Sequence, residues 1–175
     1  MSISLYDATV AAFSQTVGAL DGILARGLAH CQDNGVDPAE MVETRFYGDM
    51  APFRYQVQAA ISHSVGAIEG AKVGVYSPSR GEAGEDYATL QAKVKDAMRK
   101  LAAYTPEEVN ALMGKPVVFK LGEMTMPFLA EGFLMTFSLP NVHFHTTTAY
   151  DILRSKGVPL GKRDYMGRLK LNMPG

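Results

Sequence analysis

The amino-acid sequence predicts an all-α protein in which four long helices pack around one hydrophobic core. Apolar residues recur at three- and four-residue steps in four segments, which is the pattern of amphipathic helices. Residues that cap or end helices bound these segments. The length of 175 residues suits one domain with a sizeable core. Residues 1–175 are therefore predicted to form a single helical-bundle domain.

The first long helix is predicted from Ser4 to Asn34. The Asn34-Gly35 pair ends it, because both residues tolerate the left-handed backbone that closes helices. Asp37 and Pro38 then begin a short helix, with Asp as the N-cap and Pro in the first helical position. The apolar face of the first helix is formed by Leu5, Thr9, Val10, Phe13, Val17, Leu20, Leu24 and Leu28.

The second long helix is predicted to start between Asp49 and Pro52. The segment from Gly74 to Asp86 contains several glycines and a proline, so it is predicted to be a loop. It is longer than the links of a simple bundle and is interpreted as a long crossover. The apolar face of the second helix is formed by Phe53, Val57, Ala60, Ile61, Ser64, Ala67, Ile68 and Ala71.

Shorter elements follow a third long helix, predicted from Asp86 to Tyr104. Thr105 and Glu108 have the spacing of a capping box, which indicates an accessory helix ending at Gly114. Val117–Leu121 and Met124–Phe128 flank a Gly-Glu turn and predict a small β-hairpin. Such a hairpin must pack against the helices, because two strands alone are marginally stable.

The last long helix is predicted from Leu129 to Lys156, with a kink before Pro140 because proline removes a backbone hydrogen bond. One of its faces is apolar at both ends and polar in the middle. Polar groups in a dry core need partners, so this stripe predicts a closed hydrogen-bond network or the lining of a pocket. The stripe consists of Leu134, Phe137, Asn141, His145, Thr148 and Ile152.

The second helix offers partners for this stripe. Gln56 and His63 are two helical turns apart on one face, and they would meet Asn141 or His145 if the two helices were neighbours. The sequence is equally consistent with an exposed position for His63 on the flank of this helix. His143 is two residues from His145, so it points to nearly the opposite side of the helix.

Composition excludes several classes of function. A net charge of −1 provides no global field for nucleic acid or an acidic membrane, and no run approaches the roughly 20 apolar residues of a membrane span. The single Cys31 cannot form an intramolecular disulfide. Met1–Val10 lacks the basic start of a signal peptide, so a cytoplasmic location is predicted. The basic residues after Lys156 are interpreted as a solvated tail, with a phosphate-binding patch as the alternative.

Several segments resemble a bacterial family of unknown function within the DinB/YfiT-like superfamily, which is associated with metalloenzymes. The resemblance covers nearly the whole chain. The matching segments are Ser4–Val10, Gln56–Ala60, Leu139–Asn141, Phe144-His145, Thr147–Tyr150, Ile152–Arg154, Gly157-Val158 and Gly161–Tyr165.

The resemblance implies a four-helix bundle with a long crossover, often assembled as a homodimer. Better-studied relatives hold a metal on three histidines, one from the second helix and two from an HxxxH motif on the last. His145 matches the second histidine of that motif and Asn141 the first, while the second-helix histidine falls near Gln56 or Gln58, at least a turn from His63. This comparison implies a degenerate metal site and no cofactor, with zinc or nickel at His145 as the alternative.

Four functions remain open, and the sequence does not decide whether the protein is an enzyme. The first is a metal-free protein that binds a small molecule or serves a structural role. The second is a hydrolase or thiol-dependent transferase with His145 as the catalytic base, since some superfamily members have these activities. The third is a metalloenzyme completed by His63 or by a partner chain; nucleic-acid association through the tail comes last. The predicted pocket residues are Gln56, Gln58, His63, Asn141 and Thr148.

A homodimer is predicted as well. Large apolar residues on the last helix lie outside its core stripe, and such residues usually contact a partner. They are Phe133, Phe144 and Tyr150.

Overall fold

Long amphipathic helices make up most of the chain, and a computed structural model describes residues 3–79 and 81–172. The helices are α1 Leu5–Ala8, α2 Val10–Asn34, α3 Pro38–Glu43, α4 Phe53–Ile61, α5 Ala67–Val73, α6 Tyr87–Ala103, α7 Pro106–Asn110, α8 Ala130–Gly132, α9 Leu139–Ser155 and α10 Lys162–Met166. Two π-helical turns, π1 Ser62–Gly66 and π2 Phe133–Ser138, join α4 to α5 and α8 to α9. The strands are β1 Val75–Tyr76, β2 Pro116–Leu121 and β3 Met124–Leu129.

Capping side chains place the helix starts where the sequence indicates. Asp37 and Asp86 accept hydrogen bonds from backbone N–H groups in the first turns of α3 and α6. Thr105 and Glu108 form both bonds of the predicted capping box, at 3.2 and 3.1 Å. Gly35 closes α2 in the left-handed conformation, with φ of 65°. These local predictions are confirmed, although α7 ends at Asn110, well before the predicted Gly114.

The first helix is interrupted, unlike the prediction. Thr9 separates α1 from α2 with φ of −122°, and its buried hydroxyl donates to the Leu5 carbonyl oxygen at 2.6 Å. The segment Leu5–Asn34 also meets the length and hydropathy of a membrane span, contrary to the expectation from the sequence. Half of its most apolar window is buried inside the folded chain.

The predicted hairpin is confirmed, and a third strand makes the sheet mixed. β2 and β3 pair in antiparallel register from Pro116 opposite Leu129 to Leu121 opposite Met124. β1 pairs with β2 in parallel, with Val75 opposite Val118. The fold is thus mostly helical with a small mixed sheet, and the all-α class was incomplete because the predicted loop after Gly74 begins with a strand.

The predicted kink in the last helix takes the form of π2. Pro140 is the second residue of α9, where its missing N–H is tolerated. The wider turns of π2 lie directly before it and keep the backbone helical. The segment begins at Ala130, one residue after the predicted start, because Leu129 is the last residue of β3.

A cluster of aromatic rings joins this last helical segment to the sheet. Phe133 has its ring centroid 5.2 Å from that of Tyr76, 5.8 Å from that of Phe128 and 5.7 Å from that of Phe137. Phe133 is fully buried, so its assignment to an outer apolar surface was wrong. The π-helical turn changes which residues face inward here, and the spacing of an α-helix does not reveal that change.

Candidate functional site

The second and last long helices bring two histidines together. α4 packs against α9, and π1 lies beside them. The His63 and His145 rings, hereafter the histidine pair, are nearly parallel, with an interplanar angle of 11° and centroids 5.7 Å apart. Both side chains are buried, which excludes the exposed flank as the position of His63.

Each histidine has a fixed partner at Nδ1. Gln56 Nε2 donates to the Ala51 carbonyl oxygen at 2.9 Å, which turns Gln56 Oε1 toward His145 Nδ1 at 2.8 Å. Because an amide oxygen only accepts, the proton of neutral His145 lies on Nδ1 and its Nε2 carries a lone pair. His63 Nδ1 lies 3.3 Å from the Tyr76 hydroxyl, which in turn is 2.9 Å from Ser62 Oγ.

Burial keeps the histidine pair uncharged. Desolvation lowers the pKa of His145 to about 4. The pKa of His63 also falls to about 4, mainly through desolvation and further through the neighbouring His145. Burial raises the pKa of Tyr76 to about 12, so its hydroxyl remains protonated. At neutral pH the site therefore offers uncharged imidazole and phenol groups.

Aromatic side chains surround the histidine pair. Tyr55 and Phe144 contact the His145 ring edge-on, with centroid distances of 5.9 and 5.2 Å. Phe137 makes the same type of contact with His63, at 5.6 Å. Tyr55 and Phe137 are half-buried, which places the pair close to the protein surface. The environment favours a ligand with an apolar body and a few hydrogen-bonding groups.

Asn141 and Thr148 lie on the side of α9 that carries His145, but their side chains form hydrogen bonds to backbone carbonyl oxygens of the same helical segment. Asn141 Nδ2 donates to the Phe137 carbonyl oxygen at 2.7 Å and is only half-buried. Thr148 Oγ1 donates to the Phe144 carbonyl oxygen at 2.8 Å. The predicted stripe is therefore inward-facing at His145, while Asn141 lies at its edge.

Gln58 lies apart from the histidine pair. Its Nε2 donates to the Glu82 carbonyl oxygen at 3.0 Å and to Glu85 Oε2 at 2.8 Å. It lies two positions after Gln56 in the sequence, so the two side chains leave the helix on different faces. His143 is exposed on the outer face of α9, as its spacing from His145 predicts.

The residues present do not fit the three-histidine metal site that the resemblance implies. Catalytic zinc usually has three protein ligands. Over residues 3–79 and 81–172, no group of three or more His, Cys, Asp or Glu side chains could hold a metal ion. The histidine pair supplies two imidazoles, and the side chain bonded to His145 is the neutral amide of Gln56.

Sequence reasoning missed Tyr76, Ser62 and Tyr55 as parts of the site. Tyr76 reaches His63 from β1, a strand of two residues with no periodicity that could reveal it. Ser62 lies on π1, where side chains depart from α-helical spacing. A local signal for Tyr55 did exist, because it directly precedes Gln56 at the start of α4.

Comparisons with known proteins identify the family. A crystal structure of a DinB family member protein from Shewanella denitrificans superposes with a TM-score of 0.79 at 24% identity, covering 97% of this chain and 96% of that one. This similarity establishes the fold. No curated protein matches the chain. A family model described as a domain of unknown function, DUF1993, matches residues 5–166, and the chain therefore belongs to the DUF1993 family.

Proposed function

We propose that this protein is a metal-free, small-molecule-binding homodimer built on a DinB-like four-helix bundle, whose long crossover is the segment between α5 and α6. The histidine pair is the remnant of a metal site and now binds a polar ligand. The observation that carries this proposal is the hydrogen bond from His145 Nδ1 to Gln56 Oε1. It gives His145 the neutral amide of Gln56 as its partner. Gln56 lies on α4, and in a three-histidine site this helix would supply one of the metal ligands.

The ligand is recognised by the free sides of the two imidazoles. A neutral histidine whose Nδ1 donates a proton presents an acceptor at Nε2, as His145 does here. The nearby rings of Tyr55, Phe137 and Phe144 contact an apolar body. The preferred ligand is therefore uncharged, with one or two N–H or O–H donors, because a buried charge without a partner is costly.

Binding is favoured over the alternative of a hydrolase or thiol-dependent transferase. General-base catalysis is most efficient when the pKa of the base lies near the operating pH. The pKa of each histidine is about 4, so both are weak bases at neutral pH. The hydrogen-bond partner of His145 is an amide, where a carboxylate would raise its basicity.

Two experiments test this proposal. The first is thermal unfolding of the wild-type protein with and without a chelator, and the second is urea unfolding of a His145→Ala variant. The variant is expected to lose about 1–3 kcal/mol of unfolding free energy, because Gln56 Oε1 loses its donor in a buried place. His143→Ala, on the exposed face of the same helix, is the matched control and is expected to change stability by less than about 0.5 kcal/mol. A chelator is expected to leave the wild-type melting temperature unchanged. The proposal fails if the chelator lowers it and zinc or nickel restores it.

The homodimer is proposed from the outer face of the last helical segment. Phe144 is 59% exposed and Met135 is 45% exposed, and exposed large apolar side chains are typical of an interface. Light scattering is expected to give a mass about twice 18.9 kDa. A particle of 18.9 kDa throughout the micromolar range would contradict the dimer.

A cytoplasmic location is part of the proposal. The free Cys31 is buried and the fold uses no disulfide among the described residues, so it suits a reducing compartment. Recovery of the protein in a periplasmic or membrane fraction would count against it.

A further inference from the structure

The two histidines of the pair are held by chemically different partners. His145 Nδ1 lies 2.8 Å from the Gln56 amide oxygen, whereas His63 Nδ1 lies 3.3 Å from the Tyr76 hydroxyl. An amide oxygen only accepts a hydrogen bond, but a phenol both donates and accepts. The partners therefore allow the two imidazoles to carry their protons on different nitrogens.

The direction of the hydrogen bonds at Tyr76 decides where His63 carries its proton. The hydroxyl has one proton and two neighbours, Ser62 Oγ at 2.9 Å and His63 Nδ1 at 3.3 Å. A phenol is more acidic than a serine hydroxyl, and an imidazole nitrogen is a more basic acceptor than a hydroxyl oxygen. The favourable arrangement has Ser62 donating to Tyr76 and Tyr76 donating to His63. The proton of neutral His63 then lies on Nε2.

The Nε2 atoms of both histidines are accessible at the surface. His63 is 6% exposed and His145 is 9% exposed. Within residues 3–79 and 81–172, the hydrogen bonds of these two rings involve Nδ1 alone. Neither Nε2 is among the fully enclosed polar atoms that lack a partner, which are Gln58 Oε1, Ser138 Oγ and Thr146 Oγ1. The small exposed parts of the two side chains therefore include both Nε2 atoms, and a ligand can supply their missing partners.

These two nitrogens have opposite hydrogen-bonding roles. His145 Nε2 accepts because its ring proton is on Nδ1, and His63 Nε2 donates. The rings are nearly parallel, with an interplanar angle of 11° and centroids 5.7 Å apart. A carboxamide has an N–H donor and a carbonyl acceptor on neighbouring atoms. With two hydrogen bonds of about 2.9 Å, one carboxamide is long enough to bridge rings at this separation.

Other small polar groups match the pair less well. A carboxylate offers no donor to His145, and an ammonium group offers no acceptor to His63. Both groups are also charged, and a charge without an ionic partner is costly in a largely buried place. A ketone leaves His145 without a donor. The remainder of the ligand lies against the rings of Tyr55, Phe137 and Phe144, which favour an aromatic body.

We propose that the histidine pair recognises a primary carboxamide attached to an aromatic body. The amide N–H donates to His145 Nε2, and the amide oxygen accepts from His63 Nε2–H. Tyr76 is a positioning residue, which fixes the proton of His63 without contacting the ligand. This inference rests on the small-molecule-binding function proposed above and adds the chemical class of the ligand.

Nitrogen NMR of the wild-type histidine rings at neutral pH measures the two proton positions directly. His63 is expected to be protonated on Nε2 and His145 on Nδ1, and His145→Gln assigns the signals by removing one ring. Protonation of both rings on the same nitrogen would overturn the inference and leave a small-molecule site without this preference. Failure of the proposed function has a different sign, namely a melting temperature that a chelator lowers and zinc or nickel restores.

Titration of the full-length protein with benzamide, acetophenone and aniline tests the ligand class, with the same ring signals as the readout. Benzamide is expected to bind at least about tenfold more tightly than either analogue. Acetophenone replaces the amide nitrogen with a methyl group, and aniline lacks the carbonyl group, so each loses one of the two hydrogen bonds. Equal affinity for benzamide and either analogue, or no saturable shift of the pair with benzamide, would overturn the inference.

Two variants test the role of Tyr76. Tyr76→Phe removes the donor to His63 and is expected to weaken benzamide and acetophenone at least about threefold, while aniline, which contacts His145 alone, changes less than about 1.5-fold. Equal losses for all three probes would show a merely structural role and contradict the positioning role. Ser62→Ala is the matched control at a half-buried position, because Tyr76 keeps His63 as its acceptor. A changed proton position on His63 in Ser62→Ala would show that the hydrogen bonds run in the opposite direction and would overturn the inference.

Discussion

Acidification from pH 7 to pH 4 is expected to lower the unfolding free energy by up to about 3 kcal/mol for each residue of the histidine pair. The pKa of each histidine is about 4 in the folded protein, against an ordinary value of 6.5. Between these values the unfolded chain binds protons that the folded chain does not. The stabilisation is therefore complete above pH 6.5 and is lost progressively as the pH falls toward 4.

Urea unfolding at a series of pH values measures this effect. Carboxylates also titrate near the lower limit, so the informative quantity is the difference between wild type and His145→Gln. The variant retains one histidine of the pair and is expected to show about half of the wild-type loss between pH 6.5 and pH 5, where carboxylates contribute least. Identical pH dependence of the two proteins would show that His145 is not held neutral by burial.

Replacement of Phe133 by alanine is expected to cost about 3–5 kcal/mol of unfolding free energy. Its ring is fully buried between Tyr76 of β1 and Phe137 of π2, so truncation leaves a cavity between the sheet and the last helical segment. Because Tyr76 also bonds to His63, the loss is expected to loosen the histidine pair as well.

Phe144→Ala is the matched control for this change. Phe144 is also an aromatic residue of the last helical segment, but 59% of it is exposed. Denaturant unfolding at a fixed low protein concentration is expected to show a loss of less than about 1 kcal/mol for this variant. A loss below about 1 kcal/mol for Phe133→Ala, no larger than that of the control, would contradict the burial of Phe133.

The sequence alone predicted the features that depend on local chemistry. The Thr105–Glu108 capping box and the Gly122 turn of the hairpin each lie within a few residues of chain, and both form as expected. The inward position of His145 followed from its spacing along one helix. Its contact with Gln56 followed from one further assumption, that the second and last helices are neighbours.

Features that depend on long-range packing could not be predicted from the sequence. Tyr76 belongs to a strand of two residues that exists only because β2 lies beside it. Phe133 appeared to face outward because π2 shifts its direction from that of a regular helix. Gln58 was predicted to be a pocket residue, and only the folded chain places it against Glu82 and Glu85.

The histidine pair is proposed to hold no metal ion, and elemental analysis tests this proposal most directly. Protein purified without an affinity tag and dialysed against trace zinc and nickel would be analysed by mass spectrometry. The expected content of each metal is far below one per chain, because two imidazoles and an amide fall short of the three strong ligands that catalytic zinc usually has. A content near one per chain that disappears in His145→Ala would contradict the claim.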